Sequence, residues 1–252
     1  NHKFTGKGAK AFLNRVLAGR IPGPGRVNLT PMLLESGKLN GDLTVACIDE
    51  ETFYLFGSSV AQNMHLRWFE MHLEGVQDVV YQNMTDDFHG IAISGPNSRE
   101  LLSRLTREDV SSETFKFRDI RDTFIGGVPA LCTRISFTGE LGYEIYVAPQ
   151  YQLKLFEAIE ELGVDLNLKW FGGRALMSMR LEKSWGAWTM DFRPDFTIME
   201  SGLDFFVDWD KDFIGKKAAL IEKNNGPSKK LSVIQIDTET DVSGDEAVMH
   251  NG

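Results

Sequence analysis

Three charged side chains stand where the surrounding residues call for apolar ones. Asp42 interrupts the β-rich run LNGDLTVAC, Glu144 interrupts YEIYV, and Arg174 opens a helix directly after Phe171-Gly172-Gly173. A carboxylate can hold a proton or accept two hydrogen bonds side by side, and a guanidinium offers a fork of donors. Each also has a plain structural reading: Asp42 as a turn or edge-strand residue, Glu144 on a solvent face, Arg174 in a surface ion pair. Other chemistries lack their residues. No catalytic triad is visible, and GRIPGPGR (19–26) has neither the strand–glycine–helix setting nor the Lys-Ser/Thr ending of a phosphate loop. Cys47 and Cys132 are too few for a disulfide framework or a cysteine metal site. The histidines show no ligand spacing; His65 and His72 lie on one predicted helix and read as surface or half-buried, so no metal is expected.

The carboxylates and the arginine must be held by a chain of 252 residues, long enough for one large domain or two small ones. Its formal net charge of −9 argues against a phosphate-backbone partner, so nucleic acid is not expected. Apolar runs fall far short of the ~20 residues that span a bilayer. With so few cysteines, a reducing, soluble setting is expected: cytoplasmic, or the mitochondrial matrix in a eukaryote.

Periodicity supplies the scaffold. Apolar residues three to four apart predict a helix from Ala9 to Leu17, and 19–26 reads as a loop. Val27–Leu34 and Leu39–Ile48 form a hairpin about Glu35-Ser36-Gly37-Lys38, followed by a strand at Thr52–Phe56 and a helix at Val60–Leu73. Strands are then expected near Val79–Tyr81, Gly90–Ser94, Asp119–Ile125 and Pro129–Phe137, with a helix starting near Asn97. RISFTGELGYEIYV reads as a hairpin turning at 138–142, with Tyr143, Ile145 and Val147 on one face and Glu144 and Tyr146 on the other. Helices at 150–162 and 174–186, a strand in ESGLDFFVDW and a short helix after KDFIG complete the unit. The order strand–helix–strand–strand–helix–strand suggests an α+β fold of ferredoxin-like units. NNGPSK (224–229) has linker composition, and KKLSVIQIDTETD begins a new strand with nothing built on it. The chain therefore reads as cut at both ends, with one domain at 1–223 and a linker plus the first strand of a truncated barrel at 224–252.

The order of the motifs adds what no single residue gives. GKLNGDLTV, FKF, RISFTGELGYE, FGGRALMSMRLEK and DFIGKKAAL follow one another, and SGPNSRELL precedes FKF. Together they resemble the folate-binding domain of the glycine-cleavage T protein, the aminomethyltransferase family, over about residues 4–222. RLEKSWGAWTMDFRPDFTIMESGLDFFVDWDKDFIG is most similar to the C-terminal halves of dimethylglycine and sarcosine dehydrogenases. The resemblance implies an enzyme with a central cleft in which tetrahydrofolate takes up a methylene or methyl group from an aminomethyl or N-methyl amine donor. In the dehydrogenases a separate flavin domain oxidises the N-methyl group. No GxGxxG occurs here, so a flavin would belong to another domain or subunit.

The resemblance also assigns residues. Glu144 matches the glutamate that accepts the N3–H and 2-amino donors of the pterin, and Asp42 matches the essential aspartate, the carboxylate beside the reacting nitrogens. Phe137 and Phe115 match aromatic positions flanking the folate, and Arg174 an arginine contacting it. Leu29 stands where the family has a tyrosine and Ser58 (or Ser59) where it has an asparagine; Thr44 lies with them along the expected contact. Two further readings stay open: a non-catalytic folate-fold protein of the iron–sulfur assembly or tRNA-modification type, and an inactive fragment. The assembly branch carries a cysteine motif where this chain has KDFIGKKAAL.

Overall fold

Strands β1 (His2–Thr5), β2 (Arg26–Leu33), β3 (Leu39–Asp49), β4 (Thr52–Phe56) and β5 (Val80–Asn83) form one sheet in the computed structural model, which describes residues 1–240 and 247–249. Its order is β2-β3-β4-β1-β5, and every pair is antiparallel. Alternation decides what each face carries. Leu43, Val45 and Cys47 of β3, Phe53 and Leu55 of β4, and Phe4 of β1 point to a buried cluster under helices α1 (Ala9–Val16) and α2 (Gln62–Leu73). Helix α1 meets them with Ala9, Phe12, Leu13 and Val16, the three-to-four spacing of one helical face.

A second sheet, β6 (His89–Ser94), β7 (Ile120–Ile125), β8 (Val128–Thr133) and β9 (Gly142–Val147), runs in the order β6-β9-β8-β7, again antiparallel. Helices α3 (Ser98–Leu105) and α4 (Gln152–Gly163) cover one face, where Leu101, Leu102, Leu155 and Ile159 bury Tyr143, Ile145 and Val147. The α+β class thus appears as two sheet-and-helix units, with β9 placed before the second helix of its unit rather than after it. The opposite faces of the two sheets meet through Val27, Ala46, Phe56, Ile120 and Leu131. Arg26 adds an ion pair to Asp119, and Arg118 a 2.7 Å bond to Asn28.

Two predicted strands take other forms. The strand expected to run to Phe137 ends at Thr133, and 134–141 become the connection to β9. Arg134 leaves the ladder because its backbone pairs instead with Arg118 and Asp119, at 3.0 and 2.9 Å. ESGLDFFVDW is not a strand either. Thr197 and Glu200 form a reciprocal capping box, Thr197 N–H to Glu200 Oε2 and Glu200 N–H to Thr197 Oγ1, both 3.1 Å. Gly202 follows at φ +67, and a short 3-10 turn occupies Asp204–Phe206.

Helix α5 (Gly173–Glu182) leads into this turn-rich region, which with Ala219 of α6 (Lys216–Asn225) forms a third cluster containing Trp188, Phe192, Ile198, Leu203 and Phe213. Arg180 of α5 is buried and binds Asp191 at 2.5 Å and the Trp185 carbonyl at 2.9 Å. Removing one partner of a buried pair strands the other, so Arg180→Met is expected to destabilise the fold by about 3 kcal/mol in urea unfolding. Past α6, residues 229–238 join no sheet among the described residues and run exposed, held by Ser228 Oγ and Leu231 N–H bonds to Glu200. The remainder of the expected barrel strand, 241, lies outside the described residues, as do most positions after it.

Candidate functional site

The register places the expected residues on one surface. On β2 and β3, Leu29 stands opposite Thr44 and Pro31 opposite Asp42; Thr44 in turn faces Phe56 on β4. Directly paired residues share a face. Leu29, Asp42, Thr44 and Phe56 therefore lie on the face that meets the second sheet. On that sheet Thr133 stands opposite Glu144 and Leu131 opposite Tyr146, so Glu144 and Tyr146 look back toward the first. The join is aromatic: Phe56 and Tyr146 stack with centroids 4.3 Å apart and planes 17° from parallel. The Tyr146 hydroxyl donates to Glu144 Oε2 at 2.5 Å.

Both carboxylates are half-buried, and among the described residues neither meets a lysine or arginine. Desolvation by burial therefore governs them and disfavours the charged form. It pushes the Asp42 carboxyl up to about 7. Glu144 is also raised by burial, with the Tyr146 hydrogen bond pulling the other way. Apart from that bond, the Glu144 carboxylate has no hydrogen-bond partner among the described residues, which leaves Oε1 to accept from a ligand.

The raised carboxyl has a consequence for stability. A folded-state value above the ordinary ~3.9 means that stability is fully present below the unfolded value and is lost as pH rises toward 7. Asparagine cannot ionise. Asp42→Asn is expected to be more stable than the wild type at pH 8 by on the order of 2 kcal/mol, a gain that shrinks toward zero near pH 4. Urea unfolding at pH 8 and pH 5 would read this; equal gains at both would show that Asp42 does not titrate between them.

The other expected residues divide. Ser58 follows β4 at the start of the 3-10 turn Ser59–Ala61, half-buried and continuous with Phe56. Phe137 is half-buried in the 134–141 connection. Its neighbours are fixed by hydroxyl bonds: Ser94 to Ser136 at 3.0 Å, Ser94 to Thr138 at 2.7 Å, and Ser136 to Thr138 at 2.9 Å. Arg174 is exposed in the first turn of α5 and touches neither carboxylate through an ion pair among the described residues. The far end of that helix does reach the connection, through Lys183 on Glu140 at 2.8 Å. Phe115 requires a correction. It is 1% exposed in the second unit's core and stacks on Tyr143, on the opposite face of β9 from Glu144. No ligand beside Glu144 meets it.

Sequence reasoning missed Phe56 and Tyr146, whose role depends on a contact between distant segments. A shallow depression of about 510 Å³ lies elsewhere, between α3 and residues 108–111, and holds none of the expected residues.

Comparison with known proteins gives a consistent picture. The family model described as GCVT N-terminal domain matches residues 1–211. Human mitochondrial dimethylglycine dehydrogenase is 34% identical over 256 residues, covering 99% of this chain but 30% of the relative. The aminomethyltransferase of Thermoanaerobacter sp. (strain X514) is 32% identical over 257 residues, covering 99% of this chain and 69% of the relative. Among solved structures, glycine cleavage system aminomethyltransferase T from Bartonella henselae superposes with a TM-score of 0.79 at 23% identity, over 90% of this chain and 61% of that one. The chain thus spans under a third of the dimethylglycine dehydrogenase that it matches. No helix among the described residues is long and apolar enough to cross a membrane.

Proposed function

We propose that this chain, which belongs to the GCVT N-terminal domain family, binds tetrahydrofolate between its two sheets and there receives a one-carbon unit from an aminomethyl or N-methyl amine donor. One observation carries the reading: Asp42 and Glu144, two carboxylates with no ion pair among the described residues, stand on the facing sides of the two sheets that Phe56 and Tyr146 join. The residues fit the ligand. A pterin edge offers two adjacent donors, and Glu144 presents one free oxygen and one oxygen engaged by a single Tyr146 bond. Fixing Glu144 through Tyr146 orients the carboxylate before a ligand arrives, which lowers the ordering cost of binding.

Tetrahydrofolate, when bound, supplies the two amine nitrogens that take up the carbon. The rest falls to this chain. Asp42 offers a carboxylate oxygen whose pKa of about 7 suits it to take a proton near neutrality. Leu29 and Thr44 line the same face, Leu29 with an apolar wall and Thr44 with a hydroxyl, and Ser58 would add a second hydroxyl from the turn after β4. Phe137 closes the second-sheet side from its fixed connection. Arg174 would reach the ligand's anionic end from α5, a role that needs the side chain to swing from its exposed position. Oxidation of an N-methyl donor would belong to a flavin-containing domain or subunit. We also take residues 1–223 as the folate unit and 224–252 as the lead into a further domain.

The test is a melting experiment with tetrahydrofolate. A ligand bound only by the native state stabilises it by about 2.7 kcal/mol at a hundredfold excess over Kd. The wild-type melting temperature is expected to rise by several degrees, as such a free-energy gain requires. A wild-type chain that melts unchanged across millimolar ligand would remove the reading.

A further inference from the structure

Helix α2 sends one polar ring inward. His65 is 1% exposed and its Nε2 lies 3.1 Å from the Asn40 carbonyl. A carbonyl only accepts, so Nε2 carries the proton and donates. Burial pushes the ring pKa down to about 4, which keeps it neutral around pH 7.

What the ring touches gives it a role. The β2–β3 ladder slips between Met32/Leu33, pairing Met32 with Gly41 and Leu33 with Leu39, so Asn40 is the unpaired residue of a β-bulge. Bulges re-aim the side chains that follow them. Gly41 comes next, and a Cβ there would sit 2.6 Å from His65 Nε2. The ring therefore lies against bare backbone, in space that only glycine leaves open. Asp42 follows directly. The ring's Nδ1 edge also comes into ordinary contact range of Gly57, where a Cβ would lie 3.6 Å from it, though the tighter neighbour there is Leu43 Cδ2 at 2.5 Å. Ser58 follows that glycine. The ring thus braces the backbone immediately before Asp42 and lies near the turn that carries Ser58.

We infer that His65 is a positioning residue: pressed against Gly41 and bonded to the Asn40 carbonyl, it fixes the bulge that aims Asp42. The inference rests on the proposed role of Asp42. Its contribution is geometric, since the ring carries no charge in the working range. The titratable groups around it are His2 on β1, which burial also holds neutral at about 3, and the α-amino group of Asn1. Misplacing a reacting group by about 1 Å from a distance can lower a rate by ~10²-fold.

Two variants separate positioning from plain packing. His65→Leu fills the space without a donor; His65→Gln restores an N–H near the position of Nε2. With tetrahydrofolate and an aminomethyl donor, His65→Leu is expected to lower kcat by at least about tenfold, with KM for tetrahydrofolate within about twofold, and His65→Gln to recover most of the rate. A second readout needs no turnover. The Asp42 carboxyl carbon, identified by its loss in Asp42→Asn, is followed by NMR between pH 4 and pH 9. Its midpoint should fall by at least about one pH unit in His65→Leu, as the loosened strand admits water, and stay in place in His65→Gln. An unmoved midpoint in His65→Leu would overturn the inference, as would an unmoved kcat in a chain whose wild type transfers carbon. If the wild type transfers none, the functional reading fails and the titration alone decides on His65. Should His65→Leu not fold, His65→Asn, too short to reach the carbonyl, replaces it.

Discussion

Asp42→Asn is expected to slow one-carbon transfer by ~10²–10⁴-fold while leaving tetrahydrofolate affinity within about threefold. The carboxylate projects from β3 toward the second sheet with no cation paired to it among the described residues, and burial raises its pKa to about 7. Under the proposed function, a group so placed would act on the proton and the positive charge that arise as the carbon moves, and these exist only along the reaction. The amide keeps the shape and loses both the charge and the basicity. Calorimetry would follow binding, and formation of 5,10-methylenetetrahydrofolate would follow transfer. A mutant transferring at the wild-type rate would make Asp42 a structural residue of the bulged strand; loss of binding without a separate effect on rate would make it a ligand contact. The same substitution should stabilise the free protein at pH 8, so loss of rate together with a gain of stability would mark strain held for function.

Glu144→Gln is expected to weaken tetrahydrofolate binding by about a hundredfold, abolishing most of the melting shift. The amide turns one of two acceptors into a donor facing a donor, and a buried group left unpaired costs about 1–3 kcal/mol, more where a charge was lost. Tyr146→Phe should do less. It frees Glu144 Oε2 but keeps the ring on Phe56, so a loss of about tenfold, equal to one lost charge-assisted bond, is expected. Equal melting shifts in wild type and Glu144→Gln would remove this residue from the pterin site.

Much of this was legible in the sequence because it broke a pattern. Asp42 and Glu144 stood out as charges within strands, and the alternation that made them anomalous also fixed the faces they occupy. Most of the first sheet followed from its strong apolar spacing, with β4 falling on the predicted Thr52–Phe56, whereas β1 (His2–Thr5), four residues between β4 and β5, carried too little alternation to be expected. The failures share a cause: competition from partners distant in the chain. Arg134–Phe137 has strand propensity, but the backbone of Arg134 is claimed by residues 118 and 119. ESGLDFFVDW yields to a capping box whose first member, Thr197, lies outside that stretch. Phe115 looked like a ligand contact and is core, because Tyr143 on the far face of β9 receives it. His65 read as surface or half-buried, since nothing local reveals that it meets Asn40, 25 residues earlier.

The central claim is one of place: the ligand lies between the facing sheets, touching both carboxylates. Backbone amide shifts of the ¹⁵N-labelled chain, recorded as tetrahydrofolate is added, test it most directly. The account predicts saturable changes at residues 42–44, 56–58, 136–138 and 144–146, with Phe115 and the depression around Arg99 and Asp109 unmoved. Saturable changes confined to that depression, or to any surface that leaves both 42–44 and 144–146 unmoved, would contradict it.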